Sequence, residues 1–109
     1  MDETEIARTE SAFREVNEAI AKTAARFHSD EADFVCECAD PDCVHRVTAP
    51  LDEYEDVRSD GTHFILAPGH YEPAVERVVE RTGEYDIVEK FTKTVVRIAR
   101  RLNPRTHPA

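Results

Sequence analysis

The chain has 109 residues, enough for one domain and too few for two. Its 23 Asp and Glu outnumber 14 Lys and Arg for a net charge of −9, and with 40% apolar residues, three Gly and six Pro it is neither collagenous nor low-complexity. No run approaches the roughly 20 apolar residues of a membrane span, and Met1-Asp2-Glu3-Thr4-Glu5 has neither the basic start nor the apolar stretch of a secretory leader, so a soluble, cytoplasmic protein with no membrane partner is expected.

Asp2 lies three residues before Glu5, a capping-box spacing that satisfies the free amides of a helix start. Ile6, Phe13, Ile20 and Phe27 then recur every seven residues, with Val16 and Ala24 on the same face. This predicts a long helix within residues 1–28, packed on its own domain by that apolar stripe. The strict seven-residue repeat also permits two such helices to pair, and hence a homodimer.

Phe34-Val35-Cys36-Glu37-Cys38 alternates like a strand and runs into the loop Ala39-Asp40-Pro41-Asp42, after which Arg46-Val47-Thr48 can return as a second strand. Pro50 suits the first turn of a short helix, because its missing amide would be unpaired there anyway. Leu51, Tyr54 and Val57 share one face of that helix, and Asp60-Gly61 closes it. The run Glu53-Tyr54-Glu55-Asp56 reads as a solvated acidic face or a docking patch, and Arg58 as one half of a local surface ion pair.

Phe64-Ile65-Leu66-Ala67 is a short buried strand entering the turn Pro68-Gly69-His70. Residues 75–81 fit a helical turn or a strand; their valines favour a hairpin with Tyr85–Lys90 across Thr82-Gly83-Glu84. Thr92 to Leu102 forms a basic amphipathic helix with Val95, Ile98, Ala99 and Leu102 inward, stopped by Asn103-Pro104, and the last five residues should fray. The expected fold is α+β in a single domain of residues 1–109. It has a long N-terminal helix, a zinc-bearing core over 34–91 with a small antiparallel sheet, and a basic C-terminal helix over 92–103.

The charge is segregated. Residues 1–89 hold all 23 acids and eight of the 14 Lys and Arg, a balance of −15, while residues 90–109 hold the other six basic residues and no acid, +6. An acidic body with a basic end is a partner-binding signal as much as a solubility signal.

Cys36, Cys38 and Cys43 form C-x-C-x4-C. Three cysteines within eight residues make a poor disulfide framework, because one is left over and a Cys36–Cys38 bridge closes a strained ring. A metal accounts for them better. Zinc takes four tetrahedral soft or borderline ligands, residues two apart on a strand face the same way, and the Asp40-Pro41-Asp42 turn can return Cys43 to them. His70, held on a tight Pro-Gly turn, is the preferred fourth ligand, with His45 and then His63 as rivals. A mixed thiolate and imidazole set favours zinc over iron. The plainer alternatives are ordinary buried cysteines and a redox-reactive thiol cluster.

These runs carry a resemblance. Phe34-Val35-Cys36-Glu37-Cys38, Cys43, Glu53-Tyr54-Glu55-x-Val57-Arg58, Phe64-x-x-x-Pro68-Gly69-His70 and Tyr85-x-x-Val88-Glu89-Lys90 are similar to a group of small, uncharacterised actinobacterial-type proteins, over roughly residues 10–104. The resemblance implies that Cys36, Cys38, Cys43 and His70 act as one unit, and it supplies no activity.

Three functions follow from such a site. A structural zinc would staple a small domain that acts as a regulatory or protein-interaction module, with another protein as partner. Lys93, Arg97, Arg100 and Arg101 could instead contact nucleic-acid phosphates, although no aromatics interleave them and the tail can pair with its own acidic body. A catalytic zinc would need an open position, with Glu37 or Glu72 as general base. No Ser-His-Asp pattern, phosphate loop or H-E-x-x-H is present, and the non-enzymatic reading is preferred.

Overall fold

The computed structural model describes residues 1–106 and has the α+β architecture expected from the sequence. Helix α1 (Glu3–Arg26) starts where Asp2 accepts a 2.8 Å hydrogen bond from the Glu5 amide. It ends in a Schellman arrangement: His28 takes a left-handed φ of 56°, the Ser29 amide donates to Ala24 and the His28 amide to Ala25.

Strands β1 (Glu31–Val35) and β2 (Arg46–Pro50) pair antiparallel, Phe34 opposite Val47, and the cysteine-bearing loop closes their far end. Helix α2 (Leu51–Arg58) follows directly. Strands β3 (His63–Leu66), β4 (Glu76–Arg81) and β5 (Asp86–Lys90) make a second antiparallel sheet in the order β3-β5-β4, with a bulge between Val78 and Glu80. Residues 76–81 are therefore a strand, and the hairpin turn uses Gly83 at φ 90°. Helix α3 (Lys93–Arg101) and a short 3-10 turn (Pro104–Thr106) complete the described chain.

The main core is built from both sheets and α2: Phe34, Val47, Tyr54, Phe64, Ile65, Leu66 and Val88 are buried, and Phe34 stacks on Tyr54 at 4.2 Å. A smaller cluster of Ile6, Ala7, Val75, Val95 and Ile98 joins α1 to α3.

The structure corrects several local expectations. The apolar stripe of α1 packs only along one edge: Ile6 and Ala24 are buried and Ile20 leans on the core, while the rest of the inner face is not the stripe. The buried face is Ile6, Ala7, Glu10, Ser11, Arg14, Asn17, Glu18, Ala21 and Ala24, whereas Val16 is 48% and Phe27 71% exposed. Glu10, Arg14, Asn17 and Glu18 take the inner face because each of these four finds a partner there, whereas the buried Ser11 hydroxyl has none among the described residues. Arg14 donates to the carbonyls of Gly61 (2.8 Å) and Ala99 (2.7 Å) and lies over the Phe64 ring, while Lys90 pairs with both Glu10 and Glu76, all three buried.

Arg58 is likewise buried, not at the surface, and binds Glu18 at 2.6 Å together with Asn103. Leu102 turns outward and Asn103 takes the inner position instead, where its carboxamide oxygen can receive Arg58. Of the five residues expected to fray, Arg105 pairs with Glu18 at 2.9 Å and Glu55 at 2.7 Å, and Thr106 ends the 3-10 turn. The other three, residues 107–109, lie outside the described residues.

Candidate metal centre

Strand β1 stops at Val35, so Cys36 and Cys38 leave it in an extended loop rather than lying on it. The ladder nevertheless continues one step, because the Cys36 amide donates to His45 at 3.1 Å. Glu37 then ties the loop to the other sheet. Its amide donates to Ile65 at 2.9 Å, and its carboxylate accepts from the Ile65 amide at 3.0 Å. With the loop clamped on both sides of Glu37, Cys36 and Cys38 are both buried.

Asp40 shapes the return. Its side chain accepts from the Asp42 amide at 2.9 Å and its carbonyl from the Cys43 amide at 3.1 Å, a turn that brings the third thiol back. His70 arrives from the end of β3. Pro68 and Gly69 occupy the central positions of a turn closed by the His70 amide on Ala67 at 3.1 Å, and Gly69 has the φ of 80° that the third residue of a type II turn demands. Gly69 is further held by its amide on Asp86 at 2.9 Å.

The structure thus brings together Cys36, Cys38, Cys43 and His70, whose donor atoms all lie within 4.8 Å of one another. His70 Nδ1 is 3.6 Å from Cys36 Sγ and 3.7 Å from Cys43 Sγ. A zinc ion with bonds of about 2.3 Å to sulfur and about 2.05 Å to nitrogen separates tetrahedral S and N ligands by about 3.6 Å, so the geometry is compatible with such an ion. The Ala67 amide also points at Cys36 Sγ at 3.1 Å, a bond that stabilises negative charge on that sulfur. Burial pushes the Cys36 and Cys38 thiols up from their ordinary range, only partly offset by the Ala67 amide and by the Asp40 backbone respectively. A cation among the three sulfurs removes that penalty by replacing the protons.

The rival histidines stand elsewhere. His45 is exposed and packs its ring edgewise on His70, 4.6 Å between centroids, without joining the four donors. His63 belongs to a different group, 3.5 Å from Asp60 and 3.1 Å from Glu89, and Arg77 shares Glu89. Glu37, considered from the sequence as a general base, is buried with both oxygens engaged, by Asn17, Tyr54 and the Ile65 amide. Glu72 caps its own loop through the Ala74 amide. The Ala67 amide and Asn17 were not anticipated, since a backbone donor and a side chain 20 residues from Glu37 leave no local pattern.

No protein-family model, curated protein or solved structure matches the chain. The case for a metal therefore rests on this geometry. Among the described residues, no helix is long and apolar enough to cross a membrane.

Proposed function

We propose that Cys36, Cys38, Cys43 and His70 bind one zinc ion that holds the fold together, and that the chain works without catalysis as a regulatory or protein-interaction module. The observation that carries the metal is the pair of thiol–imidazole separations, 3.6 and 3.7 Å, which match the edge of a zinc tetrahedron. The mixed soft and borderline donor set favours zinc over iron. Four protein donors fill the tetrahedron, whereas a catalytic zinc keeps a position for water. Three thiolates also donate enough charge to make the ion a weak Lewis acid. An interaction role is supported by the exposed acids of α2 and the exposed apolar residues of α1.

Zinc sites of this kind contribute roughly 10 kcal/mol or more of apparent binding free energy, comparable with the whole net stability of a small domain. Protein purified under reducing conditions should carry about one zinc per chain, and chelation should abolish its cooperative melt. Metal-free protein that keeps the same melt would overturn the proposal. His70→Ala should lose the metal and His45→Ala should retain it; the reverse result would replace the ligand set.

A second reading, contact with a nucleic-acid backbone, is favoured by one feature. A shallow groove on α3 is lined by Phe91, Lys93, Val96, Arg97 and Arg100, and Lys93 and Arg97 are exposed. Arg105, by contrast, spends its charge on Glu18 and Glu55. Salt-dependent binding of single- or double-stranded oligonucleotides, lost in K93E/R97E, would replace the protein-partner reading.

A further inference from the structure

We propose that two copies of this chain pair antiparallel through the outer face of α1. The helix turns Glu10, Ser11, Arg14, Asn17 and Glu18 inward, and the consequence falls on the opposite side. Thr9, Ala12, Phe13, Val16, Ala19, Ile20, Thr23 and Phe27 form a continuous stripe with no charged residue, spanning about a third of the helix circumference at about 100° per residue. Val16 and Phe27 are the most exposed large members, Phe13 is half-buried, and Ile20 leans onto the main core at the stripe's inner edge.

The pattern selects a helix as the occupant. Ala12, Val16, Ala19 and Thr23 follow one another at four- and three-residue steps, the spacing that keeps one seam against a partner helix, with Phe13, Ile20 and Phe27 along its inner side. The alanines in that seam let two backbones approach closely.

Charge selects a second copy and its direction. The solvent-side border of the stripe carries Arg8, Glu15 and Lys22, all exposed, at a further seven-residue spacing. In an antiparallel pair with its two-fold axis beside Ala19, this border faces itself. Glu15 then meets Lys22 of the other copy, and Lys22 meets Glu15, in an isologous contact. In a parallel pair the same border faces the inner flank of the other helix, where Glu10 and Asn17 are already buried in their own fold. Around the contact, Arg8, Glu15, Lys22 and Arg26 carry both signs, so the net charge of −9 is not concentrated where the two copies meet.

Sedimentation of the full zinc-loaded chain from about 1 to 100 µM tests this, with zinc measured on the same samples so that loss of pairing and loss of metal read separately. The wild type should pass from monomer to dimer within that range. Val16→Glu should remain monomeric throughout while keeping its zinc and its melt. Glu15→Lys turns two attractive pairs into repulsive ones and should weaken dimerisation by about tenfold, and E15K/K22E should restore it. A wild type that is monomeric throughout overturns the proposal. So does a Glu15→Lys variant that dimerises normally, or a charge-swapped double variant that stays as weak as the single one.

Discussion

Asn17 links the long helix to the candidate metal loop with one side chain. Its carboxamide donates to the Val35 carbonyl at 2.9 Å and accepts from the Val35 amide at 2.8 Å, as a neighbouring strand would. The same nitrogen reaches Glu37 Oε2 at 2.8 Å, between the first two cysteines. Asn17→Ala removes all three bonds and leaves Val35 and a buried carboxylate short of partners, so it should cost about 2 to 3 kcal/mol in urea unfolding. It should also loosen zinc retention, because Glu37 holds the Cys36–Cys38 segment. A loss below about 0.5 kcal/mol would mean that water replaces the carboxamide. None of this is legible locally. Asn17 reads as one more polar residue off the apolar stripe, and its partners lie 18 and 20 residues away.

At the scale of elements, the positions of helices and strands were largely readable, and the orientation of α1 was not. The cap at Asp2, the Pro-Gly turn before His70 and the β4–β5 hairpin all depend on neighbours in the chain. The inner face of α1 depends on Lys90, whose ammonium sits between Glu10 and Glu76 with the Phe64 ring 4.6 Å away. Burial raises the Glu10 carboxyl well above its usual range; Lys90 opposes that and Glu76 adds to it. Lys90→Met would strand two carboxylates in the interior and should destabilise the fold by about 3 to 5 kcal/mol at neutral pH. A variant close to wild type in thermal unfolding would mean that the two carboxyls are held together by a shared proton and not by the lysine.

Across the whole molecule, the two charge blocks are partly joined. Arg105 from the basic end reaches Glu18 on α1 and Glu55 on α2, and Arg58 meets the same Glu18. Burial alone would raise the Glu18 carboxyl, but the hydrogen bonds and charges of Arg58 and Arg105 together hold it below its ordinary value. A carboxylate depressed in the folded state stabilises fully above its unfolded pKa of about 4.3, and the contribution disappears as pH falls through the folded value. Glu18→Gln should therefore be less stable than wild type at pH about 5 to 7 and converge on it below about 3. A gap that persists in acid would assign the loss to packing rather than charge.

The amino-acid sequence by itself determined what short-range physics controls: where α1 begins, the turn types, the α+β class, and three thiols spaced closely enough to meet. Tertiary structure decided which face of α1 points inward, that Arg58 and Lys90 are buried, and which histidine stands beside the cysteines. The reason lies in separation along the chain. Lys90 and Glu10 are 80 residues apart, Arg105 and Glu18 are 87, and Cys36 and His70 are 34. Helical and strand periodicity report only on residues a few positions apart, and a polar side chain goes inside only when the fold delivers its partner.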